Sequence, residues 1–544
     1  MRISRGVLLV VPVVLGIWLL ILSWPNQAQT AAPRLVVVLV VDQLRADYLT
    51  LYAHRWRSGF RTLLTDGAYF SRAEYPYLNT VTCPGHATIA TGTLPRTHGI
   101  ILNRWWHREE RRTWNCMDDE AVAAISYGGP AKLGSSAKRL LVPTLADELR
   151  AQKPGARVVT LALKPRSAVL LAGRGGAVAT WLDEEARTFV TSRAFGSGPV
   201  DEVRSFIERD HFEKDEARIW ELQVRDTTYR FPDFDPAERP RAGWTSLFPH
   251  PLAASTTDDT QFIARWERSP FGDAYLGRMA AALLDGLQLG RRETTDYLAI
   301  SFSALDMLAH DFGPRSREAE DLLMQLDVTI GTLIERLDET LGRDGYVLAL
   351  SADHGVAEIP KQGDAGQIYE EDLLQLLEQV LVSQWGKPAD GPYVESVAVG
   401  HIYFARGIFD RWRASPQAVQ AVEKALLATP GVSRILYGNQ LSTTSEDPEV
   451  RAAALGYVPD RSGDLILVTK ENWVLELKAN NRAASHGTMY EYDRTVPMVF
   501  LGGSVKPSRF VARVSPADIA PTLAFVAGVS MPKAEGYVLR DALR

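Results

Sequence analysis

The hydrophobic pattern along the chain changes period several times, and each change marks an element. Arg34–Val41 (RLVVVLVV) is an uninterrupted β-branched and leucine run, the mark of a strand buried on both faces. Arg157–Leu163 (RVVTLAL), Asp296–Phe302 (DYLAISF), Tyr346–Leu350 (YVLAL) and Val496–Leu501 read as further strands. Leu323, Leu326, Ile330, Leu333 and Leu337 recur at spacings of three and four, which predicts an amphipathic helix packed on the sheet. Thr144–Asp147 has the spacing of a capping box and opens a short helix toward Gln152, stopped by Pro154-Gly155. Pro516–Val526 predicts a final helix.

Two stretches break the regular pattern. From about 185 to 290, FPDFDPAERPRAGW and SLFPHP mix Pro, Asp, Arg and aromatic residues without a steady period, and the region reads as an irregular insertion covering the sheet ends. From about 394 to 477 a second insertion has strand–helix–strand character. Val397–Phe404 is apolar, Pro416–Leu427 is helical, and Asp464–Val468 and Trp473–Leu477 are expected to close a small sheet. Its one histidine, His401, reads as structural.

Composition adds bounds. At 544 residues, 46% hydrophobic and 23% charged, the chain suits one large domain with insertions or two to three domains. A net charge of −6 argues against nucleic acid as a general partner. The N-terminus departs from the rest: Arg2 and Arg5 precede Val7–Trp24, which carries no charge, and Asn26–Ala32 is small and polar. Residues 1–32 therefore read as a secretory signal cleaved near Ala28 or Ala32, or as an uncleaved anchor. Either places the bulk of the protein in the periplasm or outside the cell, with membrane contact only through an uncleaved segment. Cys83 and Cys116 are the two cysteines; they pair in an oxidising compartment, pinning the loop after Asn103 to the helix at Thr82, or stay as two buried thiols.

Candidate chemistry gathers around Asn79–Asn103 (NTVTCPGHATIATGTLPRTHGIILN), which reads as a loop, a short helix and a loop. Pro84 fits the first helical position, placing Thr82 and Cys83 at a helix mouth whose N–H groups would hold a phosphate or sulfate. Thr82 is then a candidate nucleophile, or an ordinary cap. Other candidates sit at strand ends, where ligands gather in open α/β sheets. Asp42 ends the first strand. Asp306-x3-His310 shares one helical face, as a metal site requires. Asp353 and His354 would point apart on a regular strand, so they converge only if the turn at Gly355 has begun. His486 precedes a later strand, and Lys164-Pro165-Arg166 puts two cations on one face of an extended segment, suited to gripping an oxyanion. Oxygen and nitrogen ligands without cysteine suit zinc over manganese or iron. Six of them suffice for two ions about 4 Å apart, the clamp used for in-line displacement at phosphorus.

The motifs VVDQLRADYL, TCPGHATIATGT, HGIILNRWW, KPR, DMLAHDFGP, SADHG and SHG, in this order, resemble the alkaline phosphatase superfamily. The resemblance is to its bacterial branch with a Thr nucleophile and a Lys-x-Arg pair, akin to type I phosphodiesterases and nucleotide pyrophosphatases. It implies an α/β fold over residues 33–544, a three-layer sandwich with a large, mostly parallel central sheet. It implies two Zn2+, one held by Asp306, His310 and His486, the other by Asp42, Asp353 and His354 with Thr82. Asn103, Lys164 and Arg166 would hold the phosphoryl oxygens, with Lys164 standing where other branches place a third metal. The activity implied is hydrolysis of small-molecule phosphate monoesters through a phosphothreonine. A phosphodiesterase or nucleotide pyrophosphatase on the same scaffold is the alternative, although a diester must fit a second organic group where a monoester offers a third free oxygen. A sulfatase fits poorly, because Cys83-Pro84-Gly85-His86 is not the Cys-x-Pro-x-Arg context of that family. A phosphoethanolamine transferase normally has several spans, against one candidate here, and an inert binding module would lack a ligand or Thr82.

Overall fold

Leu35–Val41 has no polar side to turn to water, and all seven residues are buried. They lie inside a ten-stranded sheet in the computed structural model, which describes residues 32–131, 134–253, 260–360, 365–479 and 482–544. The N-terminal apolar run read as a signal or anchor lies outside the described residues. Among the described residues, no helix is long and apolar enough to cross a membrane.

In chain order the sheet strands are β1 (Leu35–Val41), β2 (Ala68–Glu74), β3 (Ala124–Ser126), β4 (Val158–Ala162), β5 (Val178–Asp183), β6 (Thr188–Ser192), β7 (Asp296–Phe302), β8 (Tyr346–Ser351), β9 (Thr495–Gly502) and β10 (Ser508–Phe510). Their spatial order is β10-β2-β9-β8-β1-β7-β4-β5-β6-β3. The central run β8-β1-β7-β4-β5 is parallel, and antiparallel pairings enter only on its flanks. Helices Gly59–Asp66, Pro270–Gly286, Ala304–Phe312 and Arg317–Leu341 form one layer. Thr82–Thr91, Leu145–Gln152, Pro165–Ala172 and Ile519–Ala527 form the other, which gives the expected three-layer sandwich. The capping box at Thr144 is present, with Asp147 N–H donating to Thr144 Oγ1 at 3.1 Å.

Register decides where the site falls. Val40 pairs with both Ser301 and Ser351, and Ser301 with Ala162, so β8, β1, β7 and β4 end side by side. Everything that follows those strands in sequence is delivered to one edge.

The two insertions are more regular than their sequence. Within 185–290, β6 joins the central sheet and Pro270–Gly286 is a 17-residue helix. That helix escapes periodicity because it is buried around most of its girth and rich in Gly and Ala. A Cβ on Gly277 would stand 2.6 Å from Thr329 Cγ2, so glycine is what lets the helix lie against Arg317–Leu341. In the second insertion Val394–Ala398, His401–Phe404, Leu465–Thr469 and Val432–Tyr437 make a four-stranded antiparallel sheet. Trp473–Glu476 does not close it, as expected from sequence, but pairs in parallel with Gly366–Tyr369. His401 is buried, hydrogen-bonded to Asn79 and to the Gly463 N–H, in keeping with a structural role.

Candidate active site

Asp42 lies one residue beyond β1 and Lys164 two beyond β4. Asp353 and His354 lie just past β8, where the strand has already given way to a turn, so both side chains face the same space. Asp306 and His310 share one face of Ala304–Phe312, with His310 Nε2 3.4 Å from Asp306 Oδ1. The start of that helix is held by Asp273, whose buried carboxylate accepts from the Ser303 N–H at 3.0 Å. His486 arrives from the loop before β9, where Asp493 accepts from the N–H groups of Gly487 and Thr488 and pins it.

These residues form two interlocking groups. Asp306, His310 and His486 converge on one point, and Asp42, Asp306 and His354 on another, with Asp306 common to both. Asp353 Oδ2 lies 3.3 Å from His354 Nε2, beside the second group. Tautomers follow from hydrogen bonds, because a carbonyl oxygen can only accept. His310 Nδ1 donates to the Ala484 carbonyl (2.9 Å), His354 Nδ1 to that of Gly355 (2.9 Å) and His486 Nδ1 to that of Thr80 (3.1 Å). Each Nε2 is thereby presented to the carboxylates as a metal ligand would be.

The electrostatics ask for positive charge. Burial, with Asp306 and Asp353 nearby, pushes the Asp42 carboxyl well above its usual range. Its Oδ1 is buried and accepts no hydrogen bond. Burial holds His354 down to about 3 and His310 well below its ordinary value, so both are neutral, the form that binds metal. His486 differs: burial lowers it, but hydrogen bonding to Asp306 and the charge there raise it overall. A single ammonium, Lys164 Nζ, answers Asp42 at 2.6 Å and also contacts Asp306 Oδ2. Three buried carboxylates around one ammonium, with bare imidazole nitrogens between them, fit divalent metal ions such as zinc.

Thr82 Oγ1 lies 3.4 Å from His354 Nε2, at the edge of the second group. Its helix starts at Thr82 itself, two residues earlier than Pro84 suggested. A Cβ on Gly85 would stand 2.3 Å from the Asp353 carbonyl oxygen, so glycine lets the helix abut the end of β8. Of the helix N–H groups expected to hold the anion, the one at Cys83 is already engaged. The Cys83 N–H donates to Asn103 Oδ1 at 2.7 Å and Pro84 has no N–H. That bond fixes the orientation of the Asn103 amide, leaving its NH2 end as the donor at the cavity.

Cys83 and Cys116 form a disulfide with their Cα atoms 6.5 Å apart, and the Cys116 N–H donates to the Asn103 carbonyl. Asn103 is thus tied to the Thr82 helix from both sides. For a separation of 33 residues the bond is expected to contribute about 3–4 kcal/mol. Thermal unfolding of a Cys83→Ala/Cys116→Ala variant measures this, and an unchanged midpoint would contradict it.

Lys164 and Arg166 do not share an extended face. Pro165 starts a helix and Lys164 is its N-cap, so the cations straddle a strand-to-helix corner. Proline's fixed φ suits that first position. The two have different surroundings. Lys164 is engaged by both carboxylates, whereas the Arg166 guanidinium makes no hydrogen bond or ion pair among the described residues. Thr82, Asn103, Lys164, Arg166, Asp306, His310 and His486 all line one cavity of about 470 Å³.

His86 also packs at this site, outside the residues that the motifs single out. It is fully buried, with Nδ1 3.0 Å from the Thr82 carbonyl and 3.2 Å from Asp353 Oδ2, and with Nε2 2.9 Å from Ser301 Oγ. Only its place four residues after Thr82, one helical turn, hinted at this.

The profile of type I phosphodiesterases and nucleotide pyrophosphatases matches residues 36–493, from β1 to the aspartate that pins the His486 loop. The chain belongs to that family. Among individual members, it is 28% identical to alkaline phosphatase PafA of Elizabethkingia meningoseptica over 517 residues, 92% of each chain. It is 30% identical over 527 residues to a Myroides odoratus protein named calcium-transporting ATPase, covering 94% of this chain and 95% of that one. The crystal structure of wild-type PafA matches with a TM-score of 0.85 at 26% identity, covering 94% of this chain and 99% of PafA. This phosphodiesterase-family member therefore has the α/β fold of an alkaline phosphatase, as the motif order implied.

Proposed function

We propose that this chain is a zinc-dependent alkaline phosphatase that hydrolyses small-molecule phosphate monoesters through a phosphothreonine at Thr82. The observation that carries the reading is the shared cavity: Thr82, the group Asp306, His310 and His486, and the donors of Asn103, Lys164 and Arg166 all line it, and the second ligand group meets it through Asp306. PafA, the relative with the 0.85 match, is named an alkaline phosphatase, and a variant of it with one Thr, one Asn, one Lys and one Arg replaced has the same match. The disulfide suits a periplasmic or secreted protein, in keeping with the charged and apolar N-terminus.

Zinc held by Asp306, His310 and His486, and by Asp42, Asp353 and His354, supplies Lewis-acid charge for the attacking and leaving oxygens. The chain's own groups do the rest. Thr82 Oγ forms a bond to phosphorus as the ester oxygen leaves in line, and water later displaces Thr82 from phosphorus to release phosphate. The Asn103 amide and the Arg166 guanidinium donate to the equatorial oxygens, where charge accumulates in the transition state. Lys164 adds positive charge at the junction of the two carboxylate groups. His86 and Asp273 hold the ligand-bearing segments in place.

Metal removal tests this reading. Dialysis against a chelator is expected to lower aryl phosphate turnover by on the order of 10³ or more, with two equivalents of zinc restoring it better than manganese or iron. Undiminished turnover after complete metal loss would contradict it.

A further inference from the structure

Gln43 follows the first ligand, Asp42, and is fully buried. Its backbone is left-handed, with φ at +70°. A side chain with a Cβ takes that conformation only where the surroundings over-determine it. Here two hydrogen bonds do so, and they run to carboxylates on different segments, the turn after β8 and the helix Ala304–Phe312. The Gln43 main-chain N–H donates to Asp353 Oδ1 at 3.2 Å, and its side-chain Nε2 donates to Asp306 Oδ1 at 2.9 Å. Since Asp306 Oδ1 accepts, the amide cannot be flipped.

We propose that Gln43 is a positioning residue that sets both ligand groups from a single turn, the main chain fixing Asp353 and the amide fixing Asp306. The proposal rests on the reading that those groups hold metal. Asp306 is the one carboxylate of the group with His310 and His486, so its rotation matters most there. Lys164 contacts Oδ2, and the Gln43 amide occupies one side of Oδ1. The same Oδ1 faces His310 Nε2 at 3.4 Å and His486 Nε2 at 3.5 Å. Without the amide, Asp306 is free to turn about its terminal bond and misalign that group. Asp353 keeps its main-chain donor whatever side chain stands at 43.

A residue needed only for the left-handed turn is replaced by glycine without loss, because glycine adopts that conformation freely. A residue that acts through its amide is not. The experiment is zinc binding to the full chain, read by competition with a chromophoric chelator, alongside kcat/KM for an aryl phosphate and the unfolding midpoint. Gln43→Gly removes the amide and relieves the backbone; Gln43→Met fills the space without a donor. Both are expected to weaken one of two zinc equivalents by about 10–100-fold, with a parallel fall in kcat. The second equivalent in Gln43→Gly is expected to bind as in the wild type, with the unfolding midpoint held. Wild-type affinity for both ions in Gln43→Gly would overturn the proposal, and so would equal weakening of both ions together with a lower midpoint. Wild-type protein that binds no zinc would instead overturn the functional reading beneath it.

Discussion

Replacing Thr82 by alanine is expected to lower kcat for an aryl phosphate by on the order of 10⁴ or more, the scale of losses when a covalent nucleophile is deleted. The hydroxyl is placed to attack: it sits at the start of a buried helix, 3.4 Å from His354 Nε2 and within reach of the second ligand group. Zinc is expected to stay bound in the alanine variant, because Asp42, Asp353 and His354 remain. Thr82→Ser keeps an oxygen in place and is expected to retain much of the turnover. Acid quenching of enzyme turning over a ³²P-labelled monoester checks the covalent step. Wild-type and Thr82→Ser chains are expected to carry label, and Thr82→Ala none. Label on the alanine variant would contradict the assignment.

Arg166→Ala is expected to cost monoester turnover about 10²–10³-fold, the size of losing one oxyanion donor group, and diester turnover much less. A monoester presents an extra charged oxygen, and Arg166 is the guanidinium at the cavity that no described carboxylate engages. Lys164→Ala is expected to act differently, because Lys164 Nζ holds Asp42 and Asp306. Its removal leaves buried carboxylates facing one another without their ammonium, so metal affinity as well as turnover changes. The two variants are separated by measuring zinc content beside kcat/KM for matched monoester and diester substrates. Equal losses on both substrates in Arg166→Ala would count against a monoesterase.

Much of this site was legible in the chain because strand ends announce themselves. An apolar run that stops at Asp42, or at Asp353-His354, says where the strand ends and which side chain it delivers, and parallel register then brings those ends together without further information. The i, i+4 pair Asp306/His310 was legible for the same local reason. What was not legible depends on contacts distant in sequence. Helix Pro270–Gly286 carries no amphipathic stripe because it is buried on most sides, so periodicity missed both it and the cap that Asp273 places on the Asp306 helix. The strand before Lys164–Arg166 suggests an extended corner, although Pro165 signals the helix start that the structure has. The Thr82 helix was expected to offer its N–H groups, and only the structure shows Asn103 taking the one at Cys83. His86 and Gln43 contact other site residues, and beyond the one-turn spacing of His86 from Thr82 their local sequence does not distinguish them from core residues.

The proposed function requires the cavity beside Thr82 to favour phosphate monoesters. The measurement that tests it most directly is kcat/KM for an aryl phosphate and for the matching methyl aryl diester, on one zinc-loaded preparation near pH 8.5 with Thr82→Ala as control. A strong preference for the monoester is expected, lost when Arg166 is removed. A strong preference for the diester would contradict it and place the chain among the phosphodiesterases of its family.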